Sequence, residues 1–163
     1  MVYVSLEEQE KFVAGLEELG VREPTLHRVN YGFGRVSRED LLEVVERLKE
    51  AGFRHITTIS AVDMEEHFEV VYHLRREGFS LSLKVEVPKD DPKVPSITGI
   101  HPGATLYERE VNELMGIFPE GHPNPARLLL DYDWPEGVYP LRKEETVESL
   151  REKADAVLRD LDE

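Results

Sequence analysis

His67-Phe68-Glu69-Val70-Val71-Tyr72-His73-Leu74 is followed by Arg75-Arg76-Glu77-Gly78 and then by Phe79-Ser80-Leu81-Ser82-Leu83-Lys84-Val85-Glu86-Val87. Both runs alternate apolar and polar residues, the period of a half-buried β-strand. Phe68, Val70, Tyr72 and Leu74 share one face, as do Phe79, Leu81, Leu83, Val85 and Val87. Arg75 to Gly78 is the turn between them. The pair is an antiparallel hairpin with one wet face, and its dry face needs a cover.

That cover is encoded upstream. Ser5 with Glu8 makes a capping box before a helix that runs to about Leu19, where Gly20 stops it. Strand-like pieces follow at Leu26 to Asn30 and Phe33 to Val36, with Gly32 and Gly34 supplying bends. Gly32-Phe33-Gly34 is only a fragment of a phosphate-binding loop and reads as a turn. Ser37 opens a second helix that buries Leu41, Leu42, Val44, Val45 and Leu48 and ends at Gly52. Phe53 to Val62, rich in β-branched residues, is a further strand. The expected fold is α+β: an antiparallel sheet covered by two helices, then an extended Pro/Gly-rich arm and a C-terminal helix.

The arm follows from residues 105 to 143. Tyr107, Val111, Leu114 and Met115 fall at i, i+4, i+7 and i+8, one apolar helical stripe, and Gly116 is placed to end it. Beyond it, prolines and glycines break up regular structure while Ile117, Phe118, Leu128, Leu129, Leu130, Trp134 and Tyr139 call for burial. Such a segment is laid across its own domain or another subunit. Lys89 to Pro95 is the junction. The expected organisation is a core domain over 1–88, then linker, helix and partner-binding arm over 89–143, and an acidic helix over 144–163. The stripe of that last helix is Val147, Leu150, Ala154, Val157, Leu158 and Leu161.

Composition excludes several classes. The net charge of −14 disfavours nucleic acid and anionic lipid. With no cysteine there is no disulfide, thiolate nucleophile or Cys-ligated zinc or iron–sulfur site. No apolar run approaches the ~20 residues of a membrane span. Met1-Val2-Tyr3-Val4-Ser5 lacks the basic-then-apolar pattern of a secretory signal, so the chain is expected in the cytoplasm. One Gln and three Asn beside abundant Glu, Arg and Lys point to a heat-adapted source.

No cluster makes a convincing active site. Asp63, Glu65, Glu66 and His67 could hold a divalent metal but sit at a strand connection, where solvated charge is ordinary. His55, His67 and His73 lack paired ligand spacing. No serine has a nucleophile-elbow setting. Glu108 and Glu110 could act as acid and base, yet a helical wheel points them apart, toward a packed seam. Arg109 lies opposite the apolar stripe near Glu113 at i+4. It is either a solvated pair or a contact to a partner's carboxylate. For His122, a hydrogen bond fixing a turn is favoured over proton transfer.

The string Glu108-Arg109-Glu110, Glu113, Gly116-Ile117, Gly121-His122-Pro123, later Arg127 and Pro140-Leu141-Arg142-Lys143, resembles the signature of the thirty-kilodalton subunit of complex I, the C subunit of NADH dehydrogenase. Corresponding subunits of membrane-bound nickel–iron hydrogenases share it. Departures are Asn112 for a common aromatic, Glu113 for aspartate, Ala126 for a basic residue, Tyr139 for histidine, and Glu144-Glu145 for Asp-Phe-Pro. They make the hydrogenase or ferredoxin-linked branch look more similar than the quinone-linked one.

The resemblance implies a non-catalytic, cofactor-free subunit of a complex-I-like machine, peripheral on the cytoplasmic side of the membrane. It would pack on the large catalytic subunit and neighbouring iron–sulfur subunits. The Ni–Fe centre and iron–sulfur clusters, or a quinone site, would then lie in those partners, with proton or sodium translocation elsewhere in the complex. The resemblance also makes the motif residues a partner interface. The alternatives are the C subunit of an NADH or other quinone oxidoreductase and, in another class, a stand-alone acidic interaction module or small acid–base enzyme.

Overall fold

The computed structural model describes residues 5–161, and side chains only as far as residue 156. The expected Val157, Leu158 and Leu161 contacts of the last helix therefore lie outside the described residues. α1 (Leu6–Gly15) starts from the anticipated capping box at Ser5 and passes into a 3-10 turn (Leu16–Leu19). β1 (Arg22–Arg28), β2 (Tyr31–Arg35), α2 (Leu41–Glu50), β3 (His55–Asp63), β4 (His67–Arg76) and β5 (Phe79–Pro88) complete the first half. β6 (Lys93–Pro95), α3 (Thr105–Met115), β7 (Phe118–Glu120) and α4 (Val147–Leu161) follow.

The five-stranded sheet has the order β1-β2-β5-β4-β3. β4 and β5 pair antiparallel over their full length, Phe68 opposite Val87 and Leu74 opposite Leu81, as their alternation requires. The sheet is not wholly antiparallel, because β2 runs parallel to β5, Phe33 opposite Ser82. Gly32-Phe33-Gly34 is thus the middle of a strand rather than a turn. Its glycines answer to packing: a Cβ on Gly34 would lie 2.1 Å from Val21, and one on Gly32 3.1 Å from Phe79.

Two further expectations shift. α2 begins at Leu41 after Asp40, with Ser37 Oγ bonded to the Asp40 carboxylate. Leu42 is exposed, whereas Leu41, Val44, Val45 and Leu48 form the buried face. The outer face of the sheet is also less wet than alternation implies, since Glu69, Val71 and Ser82 on it are buried. Ser82 Oγ bonds Tyr31 Oη at 2.8 Å and His73 Nδ1 at 2.9 Å.

Among the described residues there is one hydrophobic core. Phe53, Phe68, Tyr72, Leu81 and Leu83 lie in it together with Val94, Ile97, Val111, Met115 and Ile117, so packing runs unbroken across the junction at residue 88. α3 lies against β3, with Gly103 of the preceding turn close to Ile56. Among the described residues no helix is long and apolar enough to cross a membrane.

Candidate functional site

α3 has two working faces, and they separate the motif residues. Toward the core it presents Val111 and Met115, with Tyr107 partly buried beside them. Glu108 is on this side, 3% exposed. Its carboxylate accepts from Ser96 Oγ at 2.6 Å and from the Ile97 amide at 2.7 Å. Burial raises the Glu108 pKa, and these two bonds and nearby His122 only partly offset it. Tyr72 lies fully buried, its own pKa pushed up by burial and then by Glu108. Glu108 therefore works as a seam that ties the chain after β6 to α3. Glu110 is exposed.

The opposite face grips the arm. Glu113 accepts three successive backbone amides, Leu128 at 2.9 Å and Leu129 and Leu130 at 2.8 Å each. Burial alone would raise its pKa, but those amides and Arg127 outweigh burial and lower it, so the group is ionised. Arg109 donates through Nε to the Ala126 carbonyl at 2.7 Å and through a terminal nitrogen to the Arg127 carbonyl. Asn112 reaches the Pro125 carbonyl at 3.4 Å. Arg109 and Glu113 form no ion pair among those of the described residues. Each holds the arm instead. The surface-pair reading of Arg109 is replaced by an intrachain staple.

Within the arm, one terminal nitrogen of Arg127 donates to the carbonyls of Asp131, Tyr132 and Trp134, at 3.1, 3.4 and 2.7 Å. Trp134 Nε1 donates to Val138 O at 2.9 Å. His122, 8% exposed, fixes the turn after Gly121: Nε2 donates to Thr105 O at 3.1 Å, and Nδ1 accepts from the Asn124 amide at 3.0 Å. Those bonds define the tautomer with hydrogen on Nε2. Pro123 is exposed.

The closing motif returns to the end of α3. Leu141 N donates to Leu114 O at 3.1 Å, and Arg142 Nε to Met115 O at 2.9 Å, capping carbonyls the helix leaves open. Arg142 also lies 4.3 Å from the Tyr139 ring centroid and 5.1 Å from that of Phe68. Gly116 makes this approach feasible. Its φ is +70°, and a Cβ there would come within 2.5 Å of the Tyr139 ring. Lys143 N bonds Asp63 Oδ2 at 3.2 Å, and Lys89 Nζ lies 2.6 Å from Oδ1. Burial would raise the Asp63 pKa, but Lys89 and the Glu65 and Lys143 amides hold it at about 2. The acidic group at Asp63 and Glu65 is thus an anchor for Lys89 and Lys143. His73 is similarly engaged, bonding Ser60 Oγ as well as Ser82.

With its backbone gripped from beneath, the arm turns apolar side chains outward. Leu128 is 37% exposed, Leu129 58%, Leu141 60% and Tyr132 94%. Of the residues expected to be buried, Ile117 is, Leu130, Trp134 and Tyr139 are half-buried, and Phe118, Leu128 and Leu129 stay exposed. Of the two aliphatic motif residues, Leu141 stands clear, while Ile117 is wholly buried in the core. Sequence reasoning missed the capture of three amides by Glu113, since nothing in a local pattern ties position 113 to positions 128–130.

Fold and site together define an α+β domain whose C-terminal arm is stapled across a single motif-bearing helix. The chain belongs to the family of the 30 Kd subunit of respiratory-chain NADH dehydrogenase, whose pattern matches residues 34–150. It is 42% identical over 97 residues to the C subunit of NADH-quinone oxidoreductase from Phenylobacterium zucineum, covering 57% of this chain and 46% of that protein. The chain thus spans about half the length of the first curated relatives it matches. The C subunit of F(420)H(2) dehydrogenase from Methanosarcina mazei is 34% identical, covering 82% of this chain and 84% of the other. Among solved structures, a chain of the membrane-bound sulfane sulfur reductase, an archaeal respiratory membrane complex, superposes with a TM-score of 0.76. It is 26% identical and covers 90% of this chain and 91% of that one. A trypsin-resistant fragment of Nqo5 superposes with a TM-score of 0.62 at 28% identity, covering 71% of this chain and 98% of the fragment.

Proposed function

We propose that the chain is a cofactor-free structural subunit of the hydrophilic arm of a complex-I-like membrane-bound oxidoreductase, peripheral to the membrane and docked on the large catalytic subunit. One observation carries this reading: Leu128, Leu129, Tyr132 and Leu141 are held outward on a backbone that polar side chains have already fixed. A prearranged apolar row loses little conformational entropy on binding, which favours a permanent neighbour. The small acid–base enzyme finds no support in this geometry, because Glu108 is sealed under α3 while Glu110 faces solvent.

Within the family we assign the chain to the membrane-bound hydrogenase and ferredoxin-linked branch, with the nickel–iron centre and iron–sulfur clusters in the partner subunits. The residue departures in the motif favour this branch. So does the likeness, over nearly all of both chains, to a chain of the sulfane sulfur reductase complex. The second reading, the C subunit of an NADH or quinone oxidoreductase, draws on the 42%-identical relative.

Affinity purification of the tagged chain from detergent-solubilised membranes tests both levels. Recovery of a large subunit with nickel and hydrogen evolution from reduced ferredoxin supports the hydrogenase assignment. Quinone reduction without nickel moves the chain to the second reading. Recovery as a lone protein overturns the subunit reading itself. Expressed alone, the chain is expected to be colourless and free of stoichiometric Fe, Ni or Zn by elemental analysis.

A further inference from the structure

Between α3 and the arm lies an opening of about 290 Å³, lined among others by Asn112, Glu113, Arg127, Trp134, Glu136 and Tyr139. Three charged side chains border it. Glu113 is occupied by three amides, and one end of Arg127 by three carbonyls. Those two charges oppose each other. Glu136 remains: it is exposed, with no hydrogen bond or ion pair among the described residues. The border thus carries two carboxylates against one guanidinium, in a chain whose net charge is −14.

The aromatic walls differ in the same sense. Tyr139 already carries Arg142 over its ring. Trp134, the only tryptophan of the chain, is anchored through its indole nitrogen to Val138, and its ring has no aromatic or cationic neighbour among the described residues. Indole is the strongest of the aromatic side chains at attracting a cation to its face. A half-exposed indole beside an unpaired carboxylate selects for positive charge. An anion entering here would meet the carboxylates of Glu136 and Glu113.

We propose that this opening seats a basic side chain, arginine or lysine, of the large partner subunit, its charge paired with Glu136 and its length laid against Trp134. The proposal rests on the reading of the chain as a subunit and adds the chemistry of one contact. It adds a charged anchor to the exposed apolar side chains of the same arm, an arrangement in which apolar contacts supply adhesion and the ion pair supplies register.

The test uses the tagged chain purified with its subunits from solubilised membranes, comparing wild type with Glu136→Lys, Glu136→Gln and a control, Glu17→Lys, at an exposed acidic position in the turn after α1. Glu136→Lys is expected to lower recovery of the large subunit about tenfold at physiological ionic strength, because it sets like charges face to face at an interface. Glu136→Gln should lower it by a smaller factor, and Glu17→Lys should leave it unchanged. Recovery with Glu136→Lys equal to that with Glu17→Lys overturns the proposal. If Glu136→Lys also lowers the melting temperature of the isolated chain, the glutamine variant decides, and wild-type recovery with it counts against the contact. Failure of the wild-type chain to bring down any large subunit refutes the subunit reading instead.

Discussion

The sheet and the arm are held by opposite means. In the sheet, Phe68, Tyr72, Leu81, Leu83, Val85 and Val87 are almost wholly excluded from solvent, and apolar burial sets the structure. In the arm, residues 124–143 have no fully buried side chain, and the backbone is positioned by Arg109, Glu113, Arg127 and Arg142. One chain thus carries a domain shaped by apolar burial beside a strap whose shape depends on charge. A strap of that kind keeps its apolar side chains free for a neighbour.

The largest loss is expected at the apolar end. Leu83→Ala is expected to destabilise the whole domain by about 2–5 kcal/mol in denaturant unfolding, since the site cannot collapse around the void. Gly116→Ala comes next. A side chain at φ +70° that also meets the Tyr139 ring costs roughly 1–3 kcal/mol of strain, concentrated where the closing motif docks. Protease sensitivity within 130–143 should rise while the sheet's unfolding midpoint moves less.

Glu113→Ala leaves three amides without their acceptor, at about 1–3 kcal/mol for the desolvated donors, unless the arm peels off to water first. Hydrogen exchange at Leu128, Leu129 and Leu130 should accelerate with little change at β4 and β5.

Sheet and arm also respond differently to pH. Glu113 and Asp63 are both held below their usual values of 4.5 and 3.8, so their contribution is complete above those values and is lost as pH falls through the folded ones. Glu108 runs the other way: its raised pKa favours the fold at low pH and is a liability as pH rises. Acidification from pH 5 toward pH 2 should therefore loosen the arm at Glu113 and at the Asp63–Lys143 anchor before the sheet melts, seen as amide exchange confined to those segments. The smallest effect is expected from Lys11→Ala. It removes an exposed i, i+4 pair with Glu7, 2.9 Å apart, and should change stability by only a few tenths of a kcal/mol.

Those contrasts track what the sequence made legible. Alternation in 67–87, the capping box at Ser5 and the stop at Gly116 are local patterns, and each element appeared where its pattern lay. The parallel pairing of β2 with β5 joins segments about fifty residues apart, and the glycines of β2 looked like a turn because their use, admitting Val21 and Phe79, is tertiary. The wheel for α3 placed Tyr107, Val111 and Met115 toward the core, but for Arg109 it offered only solvent or another subunit, because it could not know that the chain's own arm covers that side. Leu42 erred in the opposite direction, apolar but outside the stripe. Motif order picked out these residues as a partner interface, whereas the distances show what they bind within their own chain.

As a polymer, the chain is looped where Arg142 meets Met115. This contact closes residues 116–141 into a ring, fastened by a clasp rather than a covalent bond. The entropy of closing such a ring grows only with the logarithm of its length, about 0.6 kcal/mol for each doubling. The span between clasp points is therefore free to lengthen or shorten, provided Gly116 and Arg142 still meet. A single cut at Tyr132, the most exposed large apolar side chain of the ring at 94%, would leave both new ends attached, one held by Glu113 and the other by the clasp. A nicked molecule would keep its outline.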